Sequence, residues 1–517
     1  MDKIMSVFKI NTRRVYLILS ILLLISIATY FNFLSPQARA ARHLAAVHEA
    51  VTEMHPAVLD KNAKSFHAWH AIAYGKAKVL LPKVHSVADE NALLNFYFAG
   101  YEDAHLNGFV SQSPYTWMDF ESARWTGWLT RATVTGFDVV MSLGGEKYPP
   151  VGAHLISCNK QPIDSFLKTN IAPFIDKRWH LLAARNKSAA LLSLDVPNVH
   201  LLIRPTVSSC DFEAETGGIK SFQTQWSSVS AENEKEFAKI YSPGYEYPSV
   251  HEFAPKSYWV NVSDFQLNSA EAYRHHQELL SDLRALTDVD LIVFDTRMNN
   301  GGNSMLGDEI LESFFGDERL YYLQQRLAGK APDSEAVFRA SWKFYWAYVF
   351  KYKQQRMRQG VDSTGLEFLE KILSRLKHAL EHNQEIFLQS ELGLENERGR
   401  SEFLKENNLH WRPKGKVVLL TSRNCFSSCL NFADTLKQVP ELIHLGEPTN
   451  GDTIYTHIAE TVSSYFREDY LFSVPIKAFT NRWRDDNQPH IPEVIYNGNI
   501  YTDPLEGWVR EQVRQKQ

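Results

Sequence analysis

The order of strand-type and helix-type segments between residues 257 and 315 constrains the fold most strongly. "YWVNVSDF" is typical of a strand, "SAEAYRHHQELLSDLRAL" of an amphipathic helix with Ser269 as its N-cap, and "DLIVFD" of a buried strand. A glycine turn, "TRMNNGGNS", and a helix, "MLGDEILESFF", follow. This order predicts a βαβ unit with parallel strands, and therefore an α/β fold. The pattern returns at "GKVVLLTS".

The 517 residues exceed what one hydrophobic core usually organises, so we expect several domains. Short β-type runs between Pro and Gly turns predict a small β-rich module, whereas other stretches have helical spacing. The predicted parts are a basic stub with an apolar run (1–40), a helical region (41–125), the β-rich module (126–205), an α/β core (206–332 and 411–505) and a helical insertion (333–410). The aromatic residues of the insertion indicate internal packing; the alternative is a lid or a surface for apolar partners.

Four basic residues precede an uncharged run at residues 15–34, "VYLILSILLLISIATYFNFL". That length crosses a bilayer as a helix, and the basic flank is expected to stay in the cytoplasm. Ala38 and Ala40 have the spacing of a signal-peptidase site, so a removed signal peptide is one interpretation. A retained transmembrane anchor is favoured, and a buried soluble helix is the least favoured alternative. Anchor and signal peptide both place the rest of the chain in the periplasm or at the cell surface.

Charge and cysteine content narrow the function classes. A net charge of −5 excludes the basic surface that nucleic-acid binding needs. Four cysteines fit an oxidising compartment, and of their three possible pairings we favour Cys158 with Cys210 and Cys425 with Cys429. The Cys-x₃-Cys spacing lacks a second Cys or His pair at ligand spacing, so zinc is not expected there.

Ser427 lies between a buried strand, "KVVLLTS", and a helix that begins near Ser428. A helix N-terminus favours negative charge, which suits a nucleophile there, and the Ser428 N–H can then hold an oxyanion. The alternative is that one of these serines only caps the helix. Ligands bind at the carboxyl ends of parallel strands, so the glycine turn is expected to share this crevice, with the Gly301 N–H as second donor.

The segments "LIVFDTRMNNGG" and "VVLLTSRNCFSSCLNFADTLK" resemble the tail-specific serine peptidases. This family is also called the C-terminal processing, tricorn-like or S41-type family. "HLGEPTNGD" resembles the family's Gly-x-x-Thr-x-Gly segment, "PPVGAHLISCNKQPIDSFL" part of its PDZ-like module, and "YEDAHLNGF" the Asp-x-His element of its histidine-using branch. The resemblance implies a parallel-sheet, crotonase-like peptidase core with catalytic Ser427. The residues that match the family's Asp-x-Arg-x-Asn-x-Gly-Gly turn are Asp295, Arg297, Asn299, Gly301 and Gly302.

Two departures from the family favour a histidine base. Leu430 stands where the family has a glutamate, and Asp452 stands where its serine–lysine branch has the lysine. A serine needs a base to accept its proton, and the motif makes His105 the leading candidate, with His457 as rival.

A carboxylate usually orients such a histidine. The segment "RWRDDNQPHIPE" offers Asp485, Asp486 and Glu493, of which Asp486 is favoured. Asp295 and Arg297 are expected to pair and to support the glycine turn.

The resemblance implies an exported or membrane-anchored serine peptidase that cleaves polypeptides through an acyl-enzyme, a mechanism that needs no metal or organic cofactor. The alternative is an inactive homologue that binds a hydrophobic ligand or a peptide outside the cytoplasm, because related folds bind ligands without proteolysis. The missing glutamate and the aromatic insertion favour the alternative, whereas the presence of both Ser427 and His105 favours the peptidase.

Overall fold

The fold is that of a computed structural model. It describes residues 35–110, 123–196, 199–214, 217–241, 244, 246–263, 265–357, 363–393, 415–465 and 468–516, together with residues 16, 19–21 and 23. The predicted span at 15–34 therefore lies almost entirely outside the described residues. Within the described ranges, every helix is too short or too polar to cross a bilayer.

A six-stranded sheet forms the centre of the α/β core. Its strands in spatial order are β11 (Ser249–Ala254), β12 (Ser257–Asn261), β13 (Leu291–Asp295), β16 (Lys416–Thr421), β17 (Ile443–Gly446) and β20 (Val494–Ile495). All neighbours are parallel except β11, which pairs antiparallel with β12. Every residue of β13 is buried, as a strand covered on both faces requires. The predicted α/β fold is confirmed.

Helices cover both faces of this sheet. On one face the packed helices are α7 (Ala270–Ala285), α8 (Ser304–Phe315), α9 (Asp317–Ala328) and α12 (Ser428–Leu436). The opposite face packs against α13 (Glu506–Gln515). As predicted, Ser269 caps α7, because its Oγ accepts a hydrogen bond from Ala272 N at 3.0 Å.

A second, antiparallel sheet packs against the N-terminal helices. Its strands are β1 (Asn107–Val110), β14 (Glu335–Arg339), β15 (Ile386–Leu388), β18 (Tyr455–Tyr465) and β19 (Glu468–Thr480). The helices of this core are α1 (Pro36–Met54), α2 (Lys64–Leu80), α3 (Val87–Ala99), α10 (Trp342–Met357) and α11 (Ser363–Glu381).

The segment 333–410 differs in part from its prediction as a helical insertion. It supplies α10 and α11, but also the strands β14 and β15, which extend the second sheet beside β19. The aromatic and β-branched residues of "EAVFR" and "IFL" fit strand geometry, and their short length gave no periodic signal.

The β-rich module is built on a third sheet, and it continues beyond residue 205. Its strands are β3 (Trp128–Ala132), β4 (Phe137–Ser142), β5 (His154–Cys158), β6 (Gln161–Pro162), β8 (Ser209–Glu213) and β9 (Ile219–Gln223). The helices α4 (Ile163–Asn170), α5 (Leu182–Ser193) and α6 (Ala231–Tyr241) belong to the same core. A small sheet of β2 (Arg124–Trp125), β7 (Leu194–Asp195) and β10 (Ser227–Ser228) adjoins it. Cys158 on β5 is disulfide-bonded to Cys210 on β8.

Candidate active site

Ser427 occupies a sharp turn between β16 and α12. Its backbone has φ 56° and ψ −122°, a region that residues other than glycine rarely adopt. Such strain persists only where the surroundings enforce it, and a strained strand-to-helix turn is how α/β-hydrolases expose a nucleophilic serine. A disulfide between the buried Cys425 and Cys429 spans the turn. Both disulfides are the pairings that the sequence analysis favoured.

The glycine turn after β13 lies directly against Ser427. Gly301 has φ +96°, and a Cβ there would lie 2.6 Å from Phe426 O and 2.9 Å from Ser427 Cβ. Only a residue without a side chain fits this approach. Asn299 supports the turn: its buried amide donates to Ser263 O at 2.6 Å.

The two predicted oxyanion donors have different environments. The Gly301 N–H donates to Asn299 Oδ1 at 2.8 Å and Gly301 is buried, so the prediction that this N–H faces a substrate is wrong. The next residue, Gly302, is exposed, and its N–H has no hydrogen-bond partner within the described chain. Phe265 N fixes that peptide plane by donating to Gly301 O at 2.8 Å. The Ser428 N–H, at the start of α12, is equally without a partner among the described residues.

The hydroxyl of Ser428 links the two turns. Its Oγ donates to Gly302 O at 2.6 Å. The glycine turn and the first residue of α12 are thus held together, which places Gly302 N–H and Ser428 N–H in the same crevice.

Asp295 and Arg297 pair beneath the glycine turn. Arg297 Nη2 lies 2.7 Å from Asp295 Oδ2, and Trp259 Nε1 donates to the same oxygen at 3.0 Å. Arg297 also donates to Ile500 O near the C-terminus. These contacts give the pair a supporting position.

His105 meets Ser427 from the N-terminal region. It follows α3 and precedes β1, and its Nε2 lies 3.0 Å from Ser427 Oγ. The ring packs against Phe426, with centroids 4.7 Å apart, and His105 is buried. With the proton on Nδ1, Nε2 accepts a hydrogen bond from the serine hydroxyl, which is the arrangement of a nucleophile with its base.

Asp103 is the carboxylate beside His105. Its Oδ1 accepts from the His105 backbone N–H at 2.9 Å and lies 3.8 Å from His105 Nδ1. Its Oδ2 lies 3.2 Å from His55 Nε2. Because His55 Nδ1 accepts from Ala57 N at 3.1 Å, His55 carries its proton on Nε2 and donates to Asp103. His105 Nδ1 is buried and has no hydrogen-bond partner within the described residues, so Asp103 acts on it through charge rather than through a hydrogen bond.

Asp486, predicted as the third member, makes other contacts. Its Oδ1 accepts from Ile454 N at 2.7 Å and lies 3.7 Å from Arg482 Nη2. Burial raises the pKa of Asp486, and the lowering by the Ile454 hydrogen bond and by Arg482 does not cancel that increase. Within the described chain no hydrogen bond or ion pair joins Asp486 to His105, so the position expected for Asp486 is taken by Asp103. Asp485 and Glu493 also lack a contact with His105 there.

A buried charge cluster backs the site, and no local sequence pattern indicates that Asp452 pairs with two arginines there. Asp452 Oδ1 lies 2.8 Å from both Arg482 Nη1 and Arg484 Nη1. Burial alone would raise the pKa of Asp452, but Arg484 and Arg482, with a smaller contribution from His105, outweigh burial and lower it. A lysine at this position would have provided a base; this chain instead places a second negative charge near His105.

The β-rich module reaches the same cluster through Arg178. This arginine is fully buried, is paired with Asp176 at 2.7 Å, and donates to Gly451 O at 2.6 Å and to Asn487 Oδ1 at 3.2 Å. An isolated arginine in a loop gives no sequence signal for such a role. Asp103 could have been found from the sequence, because it stands two residues before His105 in the Asp-x-His element.

His457, the rival base, lies in β18 away from this crevice. Its ring contacts Phe338, Tyr348 and Phe368, and burial holds the pKa of His457 well below its usual range. It packs against aromatic side chains at the edge of the second sheet's core. In the part of the chain that the structure describes, no three residues of His, Cys, Asp and Glu come together as metal ligands would.

Comparisons with known proteins identify a matching family and a matching fold. Residues 258–489 match the model of peptidase family S41. No curated protein matches the chain. Among solved structures, mature CPAF aligns with 89% of this chain and 93% of its own at 12% identity and a TM-score of 0.54. Mature CPAF complexed with lactacystin aligns with 93% of this chain and 99% of its own at 12% identity and a TM-score of 0.55. At this identity the likeness shows the fold alone.

Proposed function

The chain belongs to peptidase family S41 and is a serine-type peptidase, and from this premise we propose that it hydrolyses polypeptides with Ser427 as nucleophile and His105 as base. The observation that carries the proposal is the 3.0 Å separation of Ser427 Oγ and His105 Nε2. Attack of Oγ on a peptide carbonyl transfers the serine proton to Nε2 and forms a tetrahedral oxyanion. The imidazolium then protonates the leaving amine, and water hydrolyses the acyl-enzyme by the same proton path.

The oxyanion is stabilised by the N–H groups of Gly302 and Ser428. Both are free of partners among the described residues, and one lies at a helix N-terminus, where negative charge is favoured. Loss of one such donor typically lowers turnover by about 10²–10³.

Asp103 positions the base. During the reaction His105 becomes positively charged, and the Asp103 carboxylate 3.8 Å from Nδ1 stabilises that charge. The hydrogen bond from His55 and the one from the His105 backbone orient the carboxylate.

The peptidase is proposed to act outside the cytoplasm, anchored by residues 15–34 if that segment is retained. The basic flank and the uncharged run support export. The two disulfides, which use all four cysteines, support an oxidising compartment.

A fluorophosphonate probe tests the mechanism. It is expected to label the wild-type chain, to fail with Ser427→Ala, and to label His105→Ala at least about a hundredfold more slowly. Ser304→Ala, at an exposed serine beside the glycine turn, is the matched control and is expected to label normally. Absence of labelling in folded wild-type protein, or labelling that survives Ser427→Ala, contradicts the proposal and favours a binding protein on the same scaffold.

A further inference from the structure

One face of α10 carries an exposed aromatic stripe. Trp342, Trp346 and Phe350 recur every four residues and are 51%, 63% and 59% exposed, and Met357 on the same side is 77% exposed. Residues spaced by four lie on one side of a helix. Single exposed apolar residues are ordinary, but a contiguous stripe with two tryptophans marks an interaction surface.

The opposite face of α10 accounts for its folding. Phe344 and Tyr348 are fully buried, pack edge-to-face at 4.7 Å, and belong to the core of the second sheet. The helix therefore does not need the outer stripe for its own packing, and the stripe is open to solvent.

The charge of α10 identifies the kind of partner. The helix contains Lys343, Lys351, Lys353 and Arg356 but no aspartate or glutamate, in a chain whose net charge is −5. Lys353 and Arg356 are exposed, and Lys353 falls within the stripe at helical spacing. Exposed tryptophans together with basic residues, which extend apolar stems and carry a charge at the tip, suit the interface of an anionic membrane.

α10 packs beside α1, the helix that follows the proposed anchor. α1 begins at Pro36, two residues beyond the apolar run at 15–34. Lys343 Nζ pairs with Glu49 Oε2 of α1 at 3.1 Å, and Arg339, just before α10, donates to Glu53 O at 3.3 Å. At about 1.5 Å per helical residue, Glu49 lies roughly 20 Å from the start of α1, which is less than the length of α10 itself.

We propose that the stripe of Trp342, Trp346, Phe350, Lys353 and Met357 is a membrane-contact surface that lies in the headgroup region of an anionic bilayer. The inference rests on the proposed anchoring of the chain by residues 15–34. It assigns the exposed side of the insertion to the bilayer rather than to substrate, and it gives the anchored enzyme a second attachment that restricts its orientation.

Backbone hydrogen exchange of the full chain in lipid nanodiscs tests this. One set of discs contains phosphatidylcholine only, and the other contains equal parts of phosphatidylcholine and phosphatidylglycerol. Peptides from 342–357 are expected to exchange about tenfold more slowly in the anionic discs. The triple variant Trp342→Ser, Trp346→Ser, Phe350→Ser is expected to abolish this protection, and Lys353→Gln with Arg356→Gln to reduce it.

The matched control replaces exposed apolar residues of another helix. Ile72→Ser with Val79→Ser on α2 is expected to leave the α10 protection unchanged. Equal exchange rates of α10 in both kinds of disc overturn the proposal. Protection that depends on the number of protein copies per disc, and not on lipid charge, also overturns it, because it would indicate that a second copy of the chain covers the stripe. Because fluorophosphonate labelling of Ser427 is measured on the same samples, failure of the membrane contact is distinguishable from failure of the peptidase mechanism.

Discussion

Ser427 Oγ and His105 Nε2 lie 3.0 Å apart although 322 positions separate the two residues. Three local structures produce this contact. The strained turn before α12 exposes the serine, the short segment after α3 presents the histidine, and the glycine turn after β13 closes the third side. Since each belongs to a different part of the chain, the geometry depends on tertiary packing, and changes in any of the three should disturb it.

Gly301→Ala is expected to lower the rate of fluorophosphonate labelling by about a hundredfold, because displacement of a nucleophile by about 1 Å costs that much. The added Cβ would lie 2.6 Å from Phe426 O and 2.9 Å from Ser427 Cβ. Gly144→Ala is the matched control: Gly144 also has a positive φ, +76°, but open space around it. Its labelling rate should stay within about threefold of wild type. Equal effects of the two substitutions would show that backbone strain alone, and not the clash at the serine, controls the rate.

Asp103→Asn is expected to lower the labelling rate by about a hundredfold at unchanged probe affinity, because it removes the charge beside the imidazolium. Asp486→Asn is expected to lower the rate by less than about tenfold, since Asp486 contacts Ile454 and Arg482 instead. The measurement is the rate at saturating probe, with the apparent probe affinity recorded separately. A larger loss of labelling rate in Asp486→Asn than in Asp103→Asn would identify Asp486 as the carboxylate that acts with Ser427 and His105.

The sequence was sufficient for the features that local pattern encodes. The βαβ order, the buried strand β13 and the cap at Ser269 all follow from periodicity and capping chemistry, and the structure has each of them. The turn at Ser427 was also predictable, because a buried strand ends and a helical period begins on either side of it.

Other features depend on contacts that no local pattern records. Gly301 and Gly302 are adjacent glycines, and only the Asn299 side chain decides which N–H is left free. The sequence favoured Asp486 as the carboxylate partner of His105, whereas the fold places Asp103 beside it, 3.8 Å from Nδ1. Arg178 reaches Gly451 across 273 positions, a contact that the single sequence cannot reveal.

The two disulfides are expected to affect different properties. Replacing Cys425 and Cys429 by alanine removes a constraint over 4 positions, and chain entropy predicts a loss of about 2 kcal/mol in the free energy of unfolding. Replacing Cys158 and Cys210 removes one over 52 positions, with a predicted loss of about 4 kcal/mol.

The rate of fluorophosphonate labelling should depend more on the Cys425–Cys429 disulfide than on the Cys158–Cys210 disulfide. The Cys425–Cys429 bridge spans the Ser427 turn, so its loss is expected to slow fluorophosphonate labelling by at least about tenfold. Loss of Cys158–Cys210 should leave the labelling rate of the folded fraction unchanged. Urea unfolding and probe kinetics measure the two effects. An unchanged labelling rate after loss of the Cys425–Cys429 disulfide would show that the Ser427 turn keeps its conformation without this disulfide.

Acidification is expected to destabilise the protein through His70. Burial first, and then the neighbouring His48, His55 and His67, lower the pKa of His70 from 6.5 to about 4, while its Nδ1 lies 2.8 Å from Tyr101 OH. Between pH 6.5 and about pH 4, the unfolded chain therefore binds a proton at His70 that the folded chain does not bind. The free energy of unfolding consequently has its full value above pH 6.5 and decreases as the pH falls towards 4. Because His70 is only partly buried, solvent screening leaves about 1 kcal/mol of this loss at pH 5. Urea unfolding of His70→Gln at pH 7 and pH 5 should show a smaller pH dependence than wild type by that amount, whereas His251→Gln, at an exposed histidine on β11, should behave as wild type. An unchanged pH dependence in His70→Gln would place the acid sensitivity in other groups.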